Sequence, residues 1–195
     1  MTTRRERTSH ESRELILTAA SELFAEKGYK RTTFVDVAER SGISRGSIPW
    51  HFDSKEGLLL AVFERAVALI RTGLAEAPQE TGDGPDRLTR SADALFSLPA
   101  TRLFVTLLAE ALEPDSPIRD RYVELHDTLR DHCRRGLERM PLPDGTSAEA
   151  LAVAVIGAGI GVHQQWLLAP DRVDPRAALA ALRALLAGTG PAAGR

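Results

Sequence analysis

Seven prolines between Pro99 and Pro175 stand at the borders of stretches whose apolar residues recur at helical spacing, and none stands inside one. Proline lacks an amide donor and clashes with the carbonyl four residues earlier, so prolines confined to the gaps mark where helices stop and start. The pattern predicts helices over roughly 86–98, 100–113, 118–140, 146–169 and 175–187. Upstream, Leu15, Ala19 and Leu23, and beside them Ile16, Ala20 and Phe24, repeat at i, i+4, i+8. That predicts a helix from Thr8 to Lys27, opened by a Thr8/Glu11 capping box and stopped at Gly28. A second helix, Phe34 to Arg40, is capped by Thr32 or Thr33 and closed by Gly42. Ser44 caps a shorter third. Asp53 and Glu56 open a long fourth, Ser54 to about Ala77, with Leu58, Val62, Arg65 and Leu69 along one edge. No segment alternates β-branched and aromatic residues with polar ones between turn signals, so the fold class is all-α, about nine helices.

The 195 residues, 43% apolar and 27% charged, are enough to bury a core in one or two domains. Basic and acidic residues nearly cancel, 25 against 27, so the molecule's net field cannot hold it on nucleic acid or an anionic membrane, and any such binding must be local. The charge is +1 through Leu60 and −3 beyond. The single Cys133 excludes a disulfide framework or a multi-thiolate metal site and fits a reducing cytoplasm. Arg4, Arg5, Glu6 and Arg7 are followed by no apolar stretch, so no secretory signal is expected and the protein is placed in the cytoplasm. No charged residue lies between Glu149 and Asp171. His163, Gln164 and Gln165 interrupt this span, however, and its apolar part, Leu151 to Val162, is too short to cross a bilayer. It reads as a helix buried in protein, with no membrane partner.

Residues Thr33 to Phe52 read as helix, glycine-containing turn, helix, the arrangement that lets a second helix enter the DNA major groove, although many folds use it without DNA. The surrounding stretch, SRELILTAASELFAEKGYKRTTFVDVAERSGISRGSIPWHFDSKEGLLLAVFERA, ends at Ala66. Its LFAEKGY helix end, its TT, its SGIS turn and its HFDSKEGLL resemble the DNA-binding domain of the tetracycline-repressor-like (TetR-like) transcriptional regulators. The likeness covers about the first third of the chain. The rest resembles the family in its helical layout and in WLLAPDRVDPRAALAALRALL near the end.

The resemblance implies a three-helix helix-turn-helix DNA-binding domain over residues 10–53, extending into the fourth helix to about 70. A helical effector-binding and dimerisation domain would follow over 54–188, with flexible tails at 1–9 and 189–195. It places Arg45, Gly46, Ser47, Pro49, Trp50 and His51 toward the groove, Thr33 and Phe34 at the start of the second helix, and Lys55 beside the backbone. The residues themselves agree. Arg45 and Lys55 fall in expected first turns, where the helix dipole disfavours a cation unless an anion such as phosphate is present. Arg45 can read guanine bidentately or touch only phosphate. Thr33 and Ser44 also serve as plain helix caps. Trp50 fits a small core or a sugar-phosphate contact equally. His51 lacks a catalytic partner set. Lys27, Lys30, Arg31, Arg40, Arg45 and Lys55 outnumber Asp36, Glu39 and Asp53 by three, and Arg4, Arg5 and Arg7 form either a minor-groove arm or a solvated tail. One departure stands out: Pro49 occupies the position of the family's phosphate-contacting tyrosine, so that hydroxyl is lost and the third helix should be short or tight.

In the larger remainder, Leu151 to Val162 and Ala177 to Leu186 are apolar around most of the helix circumference and need burial on more than one side. The family's last two long helices pair subunits in a four-helix bundle. Three glycines in five residues, each costing about 1 kcal/mol in a helix, imply close backbone approach, a kink or room for a ligand. Gly157, Gly159, Gly161, Leu179, Leu182 and Leu186 are therefore assigned to a homodimer interface. Ligand candidates are polar residues in apolar helices, Thr106, Glu110, His126, Cys133, His163, Gln164 and Trp166, with Phe96, Phe104 and Leu107 as walls. GAGIG lacks the βαβ context of a dinucleotide site, and His126, His132 and Glu124 match no metal motif, so no cofactor and no metal are expected. With no catalytic set found, the chain reads as no enzyme. It reads as a homodimeric repressor of a partly palindromic double-stranded operator, released by a small-molecule effector, with the long fourth helix as lever. An activator or an effector-independent regulator is the alternative, and an all-helical ligand carrier or enzyme a further one.

Overall fold

Each helix border has a local cause. The computed structural model describes residues 4–76, 92, 95, 98, 100–142 and 144–188. Among these it has eight helices and no strand: α1 (Arg4–Lys27), α2 (Phe34–Ser41), α3 (Ser47–Phe52), α4 (Lys55–Glu76), α5 (Ala100–Ala111), α6 (Arg119–Leu137), α7 (Ala148–Leu168) and α8 (Pro175–Gly188). The helix expected over 86–98 lies mostly outside the described residues.

Gly28 ends α1 at φ 82°, and its N–H donates to the Phe24 carbonyl at 3.0 Å. Buried Thr32 donates its hydroxyl to the Gly28 carbonyl at 2.9 Å, so it seals α1 and leaves Thr33 to cap α2. The Thr33 hydroxyl accepts the Asp36 N–H and the Asp36 carboxylate accepts the Thr33 N–H, a complete capping box, while Gly42 closes α2 at φ 72°. Ser147 caps α7 through the Ala150 N–H at 3.1 Å.

Three expected caps move. α1 begins at Arg4, so Thr8 lies within the helix and residues 4–9 continue it instead of forming a tail. No glycine or proline interrupts that run, and arginine and glutamate extend a helix readily. Asp53 does not cap α4: it sits at φ 58°, and Ser54 accepts the Gly57 N–H at 3.0 Å. Ser44 bonds Ser47 through their hydroxyls at 2.7 Å, in a turn that precedes α3, and Gly46 is the α3 N-cap without a side-chain bond. Arg45 therefore precedes α3 and is not in its first turn.

By mutual contact the residues form two compact units, Met1–Leu69 with Pro99–Tyr122 and Ile70–Leu98 with Val123–Arg195. In the first unit Ile16, Ala20, Phe24, Val37, Ile48, Leu58, Phe63, Leu103 and Leu107 are fully sealed. Phe63 meets the rings of Phe104 at 5.2 Å and Tyr122 at 5.4 Å, and the Tyr122 hydroxyl donates to the Phe104 carbonyl at 2.8 Å. Burial pushes that phenol up to about 12. On α4 the edge expected from Leu58 and Val62 does not continue along its line. Leu69 is exposed, and the inner face runs through Phe63, Val67, Ile70 and Leu74.

In the second unit, Cys133 and Leu137 of α6 pack on Ala152 of α7, with Met140, Leu142, Leu151, Val155 and Ile156 around them. α7 is long and apolar enough to cross a membrane by length and composition, and only 11% of its apolar window is buried in the chain.

Candidate nucleic-acid interface and ligand cavity

α3 is six residues long, and its two faces differ. Ile48 and Phe52, one turn apart, are buried, and the Arg13 guanidinium lies 5.1 Å from the Phe52 ring centre. Outward stand Arg45, Gly46, Pro49 and Trp50, all exposed. Pro49 is the third residue of the helix, where its missing amide has no partner to lose, and the carbonyl it would strike belongs to Arg45, outside the helix. The Pro49 carbonyl still accepts the Asp53 N–H at 2.7 Å. The substitution is thus absorbed by a short helix that starts two residues before it.

Trp50 is 73% exposed and meets the His51 ring edge-on at 4.7 Å, which removes the core reading. Half-buried His51 is held below its ordinary pKa by burial and then by Arg13, favouring the neutral imidazole. Half-buried Phe34 opens α2. Thr33, Ser44 and Ser47 are occupied in the turn and cap bonds already described.

The surplus of cations looks different once partners are seen. Lys27 pairs with Asp36 at 2.8 Å, Lys30 with Glu113 at 2.7 Å, and Arg40 with Glu26 and Glu22 at 3.0 and 3.2 Å. Arg31 donates to the Lys27 carbonyl. Lys55 is not solvated as expected of an unpartnered lysine: its ammonium donates to the Lys30 carbonyl at 3.2 Å and lies 4.4 Å from the Tyr29 ring centre. Burial lowers its pKa, against smaller opposing effects of Glu110 and Asp36. Of these six cations, Arg45 alone has no partner among the described residues.

The second unit contains a cavity of about 120 Å³, walled by α4, α6, α7, α8 and residues 92 and 95. Among the described residues, Cys133 is the one ligand candidate from the sequence that lines it. Burial pushes its thiol up to about 11, so it is neutral at physiological pH. Phe104, Thr106, Leu107 and Glu110 belong to the first unit, where Phe104 and Leu107 are core and the Thr106 hydroxyl donates to the Leu103 carbonyl at 2.9 Å. Glu110 is 4.0 Å from Lys30. Half-buried His126, buried His163, half-buried Gln164 and half-buried Trp166 are not on the cavity wall, and Phe96 lies outside the described residues. Leu179, Leu182 and Leu186, assigned in the sequence to a subunit interface, line the cavity, with Leu179 and Leu186 buried. Gly159 lines it too, Gly157 is exposed and Gly161 half-buried, and a Cβ at any of the three would meet nothing within 4 Å. The cavity went unseen in the sequence because its wall joins five segments. Its one signal is Arg183, a charge one turn after Leu179 in a helix otherwise built of Ala and Leu between Arg176 and Gly188.

Residues 16–62 match the family described as bacterial regulatory proteins, tetR family. The transcriptional regulator TtgR of Pseudomonas putida is 29% identical over 89% of each chain. The transcriptional repressor AcnR of Corynebacterium diphtheriae is 34% identical over 65% of this chain and 64% of its own. A regulator from Saccharomonospora viridis solved with choline is 25% identical, with a TM-score of 0.69 over 92% of this chain and 95% of its own. These relatives are regulators of transcription, not enzymes. An exposed short helix after a glycine turn, its inner face sealed by Ile48 and Phe52, and a remainder without strands among the described residues are what such a head and body require. Residues 16–62 thus match the tetR family of bacterial regulatory proteins, and the chain as a whole is similar to transcriptional regulators of that kind.

Proposed function

We propose that the chain is a cytoplasmic homodimeric repressor whose two heads, residues 10–53 with the start of α4, bind successive major grooves of a partly palindromic operator. The carrying observation is the outer face of α3 with the turn that leads into it, where unpaired Arg45 in the turn and 73% exposed Trp50 in the helix lie on either side of Pro49. A guanidinium without an internal partner is ready for guanine or phosphate, and an exposed indole loses water against sugar or a thymine methyl. Gly46 and Pro49 keep that face low, and Lys55, anchored by one of its three donors, offers the others to a phosphate.

Exposed apolar Val153 and Leu168 on α7 and Leu185 on α8 support pairing through those helices, with Gly157 allowing close approach. Repression and release follow the named relatives: one is a repressor, and another was solved with a small ligand. The cavity of the second unit is the effector site in this reading. An effector relieves repression only by binding more tightly to a conformation whose heads are misplaced for DNA, and α4, with residues in both units, is the lever. Selection from random duplex DNA tests the reading. Two inverted half-sites about 34–36 Å apart, centre to centre, are expected; recovery of no preferred sequence overturns it.

A further inference from the structure

The cavity's chemistry narrows its occupant. About 120 Å³ is close to the roughly 150 Å³ of an apolar cavity that takes one benzene molecule, so a single hydrocarbon ring fills it. Leu129, Ile156, Ile160 and Leu182 supply hydrocarbon, and the neutral Cys133 thiol adds no charge. Among the described lining residues only His132 and Arg183 carry polar heads, and none is acidic or a Phe, Tyr or Trp. Arg183 follows Leu179 by one helical turn, so both lie on the cavity side of α8. Its guanidinium matches a carboxylate with two parallel donors. A cation would meet that charge with no carboxylate and no Phe, Tyr or Trp ring on the described wall to offset it.

Resting on the assignment of this cavity as the effector site, we propose that the effector is a one-ring carboxylate, its ring among the leucines and isoleucines and its carboxylate on Arg183. Arg183 already has a contact in the ligand-free chain, so the carboxylate exchanges one interaction for another and gains about tenfold over a neutral ligand of the same ring.

The full chain is titrated calorimetrically at neutral pH with benzoate, benzyl alcohol and benzylammonium, and thermal unfolding is followed in parallel. Benzoate is expected to bind about tenfold more tightly than benzyl alcohol, with benzylammonium weakest. Arg183→Gln is expected to erase the benzoate advantage and leave benzyl alcohol unchanged, a pattern that loss of folding cannot produce. Gly159→Leu, which fills the cavity from α7, is expected to block both. Equal binding of benzoate and benzyl alcohol, or benzoate binding indifferent to Arg183→Gln, overturns the carboxylate class while leaving the cavity as effector site. Binding of none of the three, or binding that survives Gly159→Leu, overturns the cavity assignment and the proposal with it.

Discussion

Arg45 and Lys55 are both cations of the DNA-facing region, but they are held so differently that their loss should read differently. Arg45 stands free and exposed before α3. Arg45→Ala is expected to relax preference at one or two base positions by about 1–3 kcal/mol, read by affinity across single-base operator variants. An unchanged preference profile would leave Arg45 a phosphate contact only. Lys55 is half-buried on Tyr29 and tied to the Lys30 carbonyl. Its loss to alanine should weaken binding evenly across sequences and reduce the salt slope by about 0.9 for each phosphate contact removed; an unaltered slope takes it out of the interface. At this scale the sequence marks the segment that the family match covers, and its charge count leaves out partners outside that segment. Glu22, Glu26 and Glu113, which occupy Arg40 and Lys30, all lie outside residues 27–55, and a count confined to that stretch cannot see them. Trp50 was undecidable for a related reason: a six-residue helix gives too few turns to tell an inner face from an outer one.

Among the elements, the junction between α3 and α4 is the most tightly specified. Asp53 takes a positive φ, Ser54 caps α4, and a Cβ on Gly57 would collide with the Phe52 carbonyl oxygen. That backbone atom can move only by shifting the end of α3. Gly57→Ala is therefore expected to lower operator affinity several-fold and to lower the unfolding midpoint, although alanine is otherwise the better helix former. A variant with unchanged binding and a raised midpoint would show that the junction tolerates the methyl. Helix borders were largely legible because capping residues, glycines and prolines act within one turn. Thr33 shows this best: with Asp36 three residues on, its pattern is in the sequence and its capping box is in the structure. The inward turn of Leu179, Leu182 and Leu186 was not legible. An Ala/Leu helix has several apolar edges, and only its packing partners decide which faces the cavity.

For the molecule as a whole, acid sensitivity follows from its histidines. His51 in the first unit, and His126 and His163 in the second, are all held below the ordinary 6.5, chiefly by burial. The unfolded chain then binds protons first on acidification, so this stability is complete above about pH 6.5 and drains as pH falls toward the lower folded values. Glu26, Asp36 and Glu113 are lowered as well, by hydrogen bonds from Arg40, Lys27 and Lys30 respectively, and add a further loss only in the more acidic carboxylate range. Unfolding midpoints should be flat from about pH 8 to 7 and fall as the pH drops below about 6.5, with the fall reduced in His163→Gln; a profile that stays flat below that pH contradicts the burial argument. The same whole-molecule view gives the dimer test. Leu168→Glu on the exposed edge of α7 should shift sedimentation toward monomer, and an undisturbed dimer would move the interface elsewhere.

The central claim, that the outer face of α3 reads DNA, is tested most directly by repeating the random-duplex selection with Trp50→Ala and Arg45→Ala beside the unaltered chain. The account expects an inverted repeat for the unaltered protein and a degraded or shifted half-site for each variant, with circular dichroism unchanged. Identical half-sites from all three proteins would contradict it.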